Sequence, residues 1–205
     1  MGRPPLRPEF ERKFDIPPME DEALLMLRIS EALTSTGWVL EAPRRVERQY
    51  VHFDTPDLRL YRKGRTLRGL RGFPDDRIRY DYKHGPLTDR WEANYWSDVP
   101  LSPGQVVDAF GLRYDDVRVA ARSVSSHVKF KAEQDGIVLR AKLDRVTVRG
   151  GGEFKEFEVE YKGDERRGRR MLSRVGDALA RAGLESIGGQ KYARVIEHCP
   201  RYAVR

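Results

Sequence analysis

The sequence predicts an α+β fold, a closed eight-stranded antiparallel β-barrel with helices packed on the outside. Three observations carry that prediction. Eight segments alternate apolar and charged residues at the two-residue period of a strand, and turn signals such as "FPDD", "EQDG" and "RGGGE" join some of them closely enough to imply antiparallel neighbours. Their charged faces are ionised almost throughout, and "KEFEVEY" sets Glu156, Glu158 and Glu160 on one side, which repels itself unless cations face it. Their apolar faces need a cover, and amphipathic helices are present to supply it. A barrel with a polar inside and helices outside meets all three conditions, and eight strands leave a usable bore.

Strands are expected at 7–15, 46–54, 65–72, 76–84, 90–97, 124–134, 136–148 and 153–162. In the first, "EFERKF" puts Glu9, Glu11 and Lys13 on one face and Phe10, Arg12 and Phe14 on the other. The same period groups Arg79, Asp81 and Lys83; Arg90, Glu92 and Asn94; Lys129, Lys131 and Glu133; and Arg140, Lys142 and Asp144. After Pro17 and Pro18, the acids Glu20, Asp21 and Glu22 suit a first helical turn, Leu25, Ile29, Ala32 and Leu33 form a stripe, and Gly37 ends it. "SPGQVVDAFG" is a short helix with Ser102 as cap and Pro103 in its first position. Met171, Val175, Leu179 and Ala182 form a third stripe closed by Gly183, and a last short helix starts near Gln190.

With 205 residues the chain reads as a single domain, 1–205. Charged residues make up 35%, so much of the charge must lie on the surface or in a wet cavity, and a net charge of +7 favours anionic partners. One cysteine, Cys199, excludes an internal disulfide framework and fits a reducing cytoplasm. No run approaches the ~20 apolar residues of a membrane span, and "MGRPPLRPEF" lacks the apolar core of a signal peptide, so a cytoplasmic protein with no membrane partner is expected. His52, His84, His127 and His198 show no ligand spacing and read as ordinary surface or hydrogen-bonding groups. "DERRGRRMLSR" reads as a solvated basic helix face, and "RGGGE" lacks the residues that follow in a phosphate loop.

Acids and bases lining one channel suggest a divalent metal together with a polyanion. Glu9 and Glu11 have Cα atoms about 7 Å apart, close enough to converge on one ion, and Glu158 and Glu160 can do the same from another strand. Mg²⁺ takes oxygen ligands and shares substrate phosphates, while Lys and Arg hold the remaining phosphate oxygens. Phosphoryl transfer needs that equipment, because positioning and charge neutralisation supply most of its catalysis.

"EFERKF" resembles the E-x-E-x-K opening of the CYTH superfamily, the triphosphate tunnel metalloenzymes. "QYVHFDTPDLRLYRKGRTLR", "DYKHGP", "DRWEA", "LDRV" and "FEVEYKG" then follow in the family's order, over about residues 9–194. The resemblance implies an eight-stranded tunnel, dependence on Mg²⁺ or Mn²⁺, and hydrolysis or rearrangement of a triphosphate. Carried over by position, Glu9, Glu11, Asp144, Glu158 and Glu160 would face the metal. Lys13, Arg68, Lys83, Arg90, Lys129, Lys131, Lys191 and Arg194 would grip phosphates, and Glu9, Glu11, Lys13, Glu158 and Glu160 form the expected catalytic set. Glu92 is a further tunnel carboxylate.

Two departures from the pattern stand out. "LRGLR" puts Leu70 where a second arginine would point inward, so either Arg71 takes its place through a local bulge or the tunnel has one phosphate contact fewer. Asn94 stands where many members carry Glu. The expected activity is release of orthophosphate from inorganic triphosphate or another small-molecule triphosphate. Adenylate cyclase, thiamine triphosphatase and a non-catalytic polyphosphate-binding module are the alternatives. Nucleic acid is disfavoured as a partner because the aromatics alternate away from the charged faces. Monomer and homodimer both remain open.

Overall fold

A computed structural model describes residues 3–86 and 90–202, so Asp89 of "DRWEA" lies outside the described residues. In chain order the strands are β1 (Arg7–Ile16), β2 (Val39–Leu40), β3 (Arg44–Asp54), β4 (Arg65–Arg71), β5 (Ile78–His84), β6 (Arg90–Ser97), β7 (Arg118–Gln134), β8 (Ile137–Val148), β9 (Glu153–Tyr161) and β10 (Glu185–Ile187). The helices are α1 (Glu22–Thr34), α2 (Arg59–Arg62), α3 (Pro103–Ala109), α4 (Glu165–Arg181) and α5 (Lys191–Glu197).

Eight strands run antiparallel in the order β1, β6, β5, β4, β3, β7, β8, β9, and β9 pairs back onto β1 to close the cylinder. At that seam Glu11 stands beside Glu160 and Lys13 beside Glu158. The short β2 and β10 hang on β7 and β1. β7 begins at Arg118, earlier than the expected 124; near its start the β3–β7 register shifts between His52 and Phe53, and Ala120 and Ala121 are both buried, so the alternation breaks there.

Asp21 caps α1 by accepting from the N–H groups of Ala23 and Leu24 at 2.8 and 2.9 Å, and Ser102 with Gln105 forms a capping box on α3. Leu25, Ile29 and Leu33 of α1, with Met171, Val175 and Leu179 of α4, cover Phe10, Phe14, Leu139, Leu143 and Phe157 on the outer faces of β1, β8 and β9. Val106 and Val107 of α3 cover Leu67, Tyr80 and Tyr82 on β4 and β5. Each side chain buried in this way contributes about 1.5–3 kcal/mol, so the helices hold the barrel's outside and leave its inside to polar groups. α4 lies close to the barrel at Gly176, where a Cβ would run into the Arg12 guanidinium on its way to the carbonyls of Leu172 and Ser173.

Toward one end the inward positions turn apolar. Val146 and Val148 continue the face of Asp144, Phe154 continues that of Glu156, and Tyr192, Val195, Ile196 and Cys199 pack on them, so α5 plugs the cylinder. Asp54, wholly buried, fixes the plug. Its carboxylate accepts the N–H groups of Thr55, Leu60 and Tyr61 at 2.8–2.9 Å and the Tyr192 hydroxyl at 3.1 Å, tying α2 to α5. At the opposite end Arg140 and Lys131 keep side-chain exposures of 64% and 48%, which marks the open mouth.

Candidate active site

Strand parity turns one residue in two toward the lumen, and the strands that meet at the seam supply mostly acids. β1 contributes Glu9 and Glu11, β6 Glu92, β8 Asp144, and β9 Glu156, Glu158 and Glu160; of these, Glu160 is half-buried and the rest are buried. Cations are threaded among them. Lys83 lies 2.6 Å from Glu9 and 3.3 Å from Glu92, and Lys162 lies 2.7 Å from Glu92 and 3.1 Å from Glu160. Deeper in, Lys13 pairs with Glu156 at 3.2 Å and with Glu158, Lys142 reaches Glu158 at 2.6 Å, and Lys191 bonds Asp144 and lies 3.0 Å from Glu156. Arg90 pairs with Glu11. Asp144, Glu156 and Glu158 each offer an oxygen within 4.8 Å of the others.

The opposite wall, from β3, β4, β5 and β7, is basic. Arg68 and Arg79 share Asp81, at 2.9 and 2.7 Å. Arg48 donates to the carbonyls of Glu47 and Gly72 and lies over the Phe73 ring at 4.3 Å. Arg44 and Lys129 stand side by side in the β3–β7 register, and among the described residues neither side chain has a hydrogen bond or ion pair. Between the walls lies a cavity of about 310 Å³, at the small end of ligand pockets.

Burial and charge set the protonation states. Burial pushes the Glu9 carboxyl up to about 7; Lys83 opposes this, and Glu11, Glu92 and Glu160 add to it. Burial also pushes at Glu158 and Asp144, but Lys13, Lys142 and Lys191 hold Glu158 well below the usual carboxylate range, and Lys191, His127 and Lys142 do the same for Asp144. Glu11 is held low by Lys13 and Arg90 against its own burial. Burial, then Lys142 and Arg48, brings the Lys129 ammonium down to about 8. Burial brings His127 to about 4 in spite of Asp144, so near neutral pH its ring is uncharged and bridges Asp144 and the Tyr50 hydroxyl, the latter at 3.1 Å.

Of the residues expected from sequence, Glu9, Glu158, Glu160, Arg68, Lys83, Lys129 and Lys131 line the cavity, Lys131 at the mouth beside Glu41. Glu11, Lys13 and Arg90 stand in the seam wall, with exposures of 2, 2 and 4%. Asp144 and Lys191 lie toward the plug. Arg194 is held by Asp15 at 2.7 Å and the Lys155 carbonyl at 3.0 Å and lies 3.8 Å from Glu156, outside the cavity lining. Leu70 faces the cavity, the β3–β4 register runs unbroken with Tyr50 beside Leu70 and Gln49 beside Arg71, and Arg71 is exposed outside; no bulge exchanges them. Arg79, which pairs with Leu70 across β4–β5, supplies a cation at that level. Sequence reasoning missed Arg44, Arg48 and Lys162, placed Glu156 on the ionised face without assigning it to the site, and took His127 for an ordinary group although its parity with Lys129 put it inside.

No protein-family model matches this sequence, and no curated protein matches it significantly. Solved structures match its fold. An adenylate cyclase candidate from Bacillus halodurans has a TM-score of 0.60 at 13% identity, over 92% of this chain and 97% of that one. A second candidate, from Vibrio parahaemolyticus, has a TM-score of 0.60 at 17% identity over 96% and 99% of the two chains. Hippeastrum HpAC1, an adenylyl cyclase candidate described as having a dominant triphosphatase activity, has a TM-score of 0.53 at 18% identity over 95% and 98%. At these identities the likeness is one of fold, and it extends over nearly the whole of each chain.

Proposed function

We propose that this chain, a barrel with the fold of the CYTH-type triphosphate tunnel proteins, is a divalent-metal-dependent phosphohydrolase that releases orthophosphate from inorganic triphosphate or another triphosphate compound. One observation carries the reading: a single small cavity has carboxylates along one wall and, along the other, a cluster of cations of which Arg44, Arg48 and Lys129 hold no carboxylate among the described residues. A metal–triphosphate complex is complementary to that pair of walls, and either wall alone would repel half of it.

The donor set suits a hard divalent ion. It consists of oxygens only, and Asp144, Glu156 and Glu158 each bring one within 4.8 Å of the others. Glu9 and Glu11 on β1 and Glu158 and Glu160 on β9, neighbours across the seam, would hold Mg²⁺ or Mn²⁺, with Asp144 and Glu156 nearby. Such an ion supplies charge neutralisation at the phosphoryl oxygens under attack. The chain's own residues position the substrate. Lys129, Arg44 and Arg48 would take phosphate oxygens, and Asp81 orients the guanidinium groups of Arg68 and Arg79 toward the same space. The α5 plug limits how far a linear chain can enter, which would present a terminal phosphoryl group to the acids.

The test is phosphate release from inorganic triphosphate with Mg²⁺ or Mn²⁺. It should vanish with chelator and fall at least about a hundredfold, ~3 kcal/mol of transition-state stabilisation, in Glu11→Ala and in Glu160→Ala. ATP should give orthophosphate without cyclic AMP. Unchanged turnover in both variants rejects the proposal.

A further inference from the structure

Outside the barrel, α1 and α4 cover one side and α3 another, and a strip of β3, β4, β7 and β8 between them is left uncovered. Strand register arranges its outward residues in two adjacent rows. Arg71, Gln49, Val124 and Thr147 are neighbours across four strands, and Gly69, Val51 and Arg122 form the next row, continued by Arg149, whose N–H donates to the Arg122 carbonyl at 2.9 Å. Leu101 closes one side, and the result is a groove of about 600 Å³. Its floor includes Val51, Leu101 and Val124, the last 40% exposed, and the Tyr80 ring, which lies against Gly69.

The rim charges have no answering anions. Arg71, Arg122 and Arg149 are all exposed, none has a side-chain hydrogen bond or ion pair among the described residues, and no carboxylate lines the groove. Some arginines elsewhere on the surface, Arg28, Arg45, Arg77 and Arg145, each hold a carboxylate, and others do not; what sets this strip apart is that three unanswered ones surround one apolar groove. Three unanswered guanidinium groups around an apolar floor are complementary to carboxylates flanking an apolar side chain. A second copy of this chain would instead bring two such arginine sets together.

We propose that this groove docks an acidic peptide segment of a partner protein, with a bulky apolar side chain seated over Val51 and Val124 and carboxylates on Arg71, Arg122 and Arg149. The site is independent of the tunnel, because these three arginines line the outside of the barrel.

The experiment titrates the full chain into a short blocked fluorescent peptide alternating glutamate with leucine, read by anisotropy. Saturable binding is expected. It should weaken at least about tenfold in the combined Arg71→Ser, Arg122→Ser, Arg149→Ser variant and similarly in Val124→Glu, and it should be lost when the glutamates become glutamines. Triphosphate turnover of both variants should be unchanged, which also shows that they are folded. Equal binding by the triple variant, equal binding of a peptide whose leucines are replaced by serine, or capture of phosphatidylglycerol vesicles or an RNA oligonucleotide by these arginines in place of the peptide would each overturn the proposal.

Discussion

On the seam side of the cavity every lysine is matched: Lys13 with Glu156 and Glu158, Lys83 with Glu9 and Glu92, Lys191 with Asp144 and Glu156. On the far side Lys129 has no partner among the described residues, and Arg48 leans on backbone carbonyls and the Phe73 ring. Both walls are charged, yet the first is neutralised from within throughout and the second only where Asp81 meets Arg68 and Arg79. A buried pair is stabilised by its own geometry, whereas an unpaired buried cation costs free energy until an anion arrives. The seam wall is therefore part of what holds the barrel closed, and on the proposed function the far wall is where a bound anion would offset the cost of an unpaired cation.

The comparison breaks most visibly at Lys13. Lys13→Met leaves Glu156 and Glu158 buried with less counter-charge, and unfolding in urea should show a loss of about 3–5 kcal/mol. A loss below about 1 kcal/mol would mean that the seam pairs are not structural. Lys129→Met should behave oppositely: the melting temperature is unchanged or raised because a desolvated charge is removed, while KM for triphosphate rises about tenfold.

Proton linkage sharpens the contrast further. Lys129 titrates near 8 in the folded protein, below its usual 10.5, so between those values the unfolded chain binds more protons and this group makes stability rise with pH. Thermal melts over that window should show a rise that is missing in Lys129→Met, and triphosphate affinity should fall as pH passes about 8. A slope of the opposite sign belongs to Glu9. Its folded value of about 7 exceeds the usual 4.5, so its contribution is complete below about 4.5 and is lost as pH rises through 7. Glu9→Gln should flatten that slope, and adding Mg²⁺ to the native protein near pH 6.5 should release protons, measurable in weakly buffered solution.

Much of this was legible in the sequence because alternation reports which face a residue occupies. Glu9, Lys83 and Glu160 were assigned to the inside from parity alone, and they are there. Parity does not report the partner. Whether Lys13 meets phosphate or carboxylate depends on β9, which approaches it only when the cylinder closes. Arg44 escaped because "RRVERQ" is polar on both faces at the barrel's mouth, so no apolar alternation marks β3 before 46; Arg48 fell inside the expected strand, but with charge on both faces there its parity did not tell inside from outside. The choice between Leu70 and Arg71 turned on an unbroken register, which two strands must be seen together to reveal. α2, β2 and β10, of two to four residues, are too short to carry a period, and the buried Asp54 that ties α2 to α5 shows its purpose only once the plug is in place.

The pairing of β1 with β9 joins segments near opposite ends of the chain. During synthesis the N-terminal pair Glu9 and Glu11 leaves the ribosome long before Glu158 and Glu160 exist, so on the proposed function a nascent chain would have only half of the chelating set to offer. Competence and topological closure arrive in the same late event, one that long-range strand pairing makes slow. A polypeptide cut short before β9 would be inert as well as unfolded.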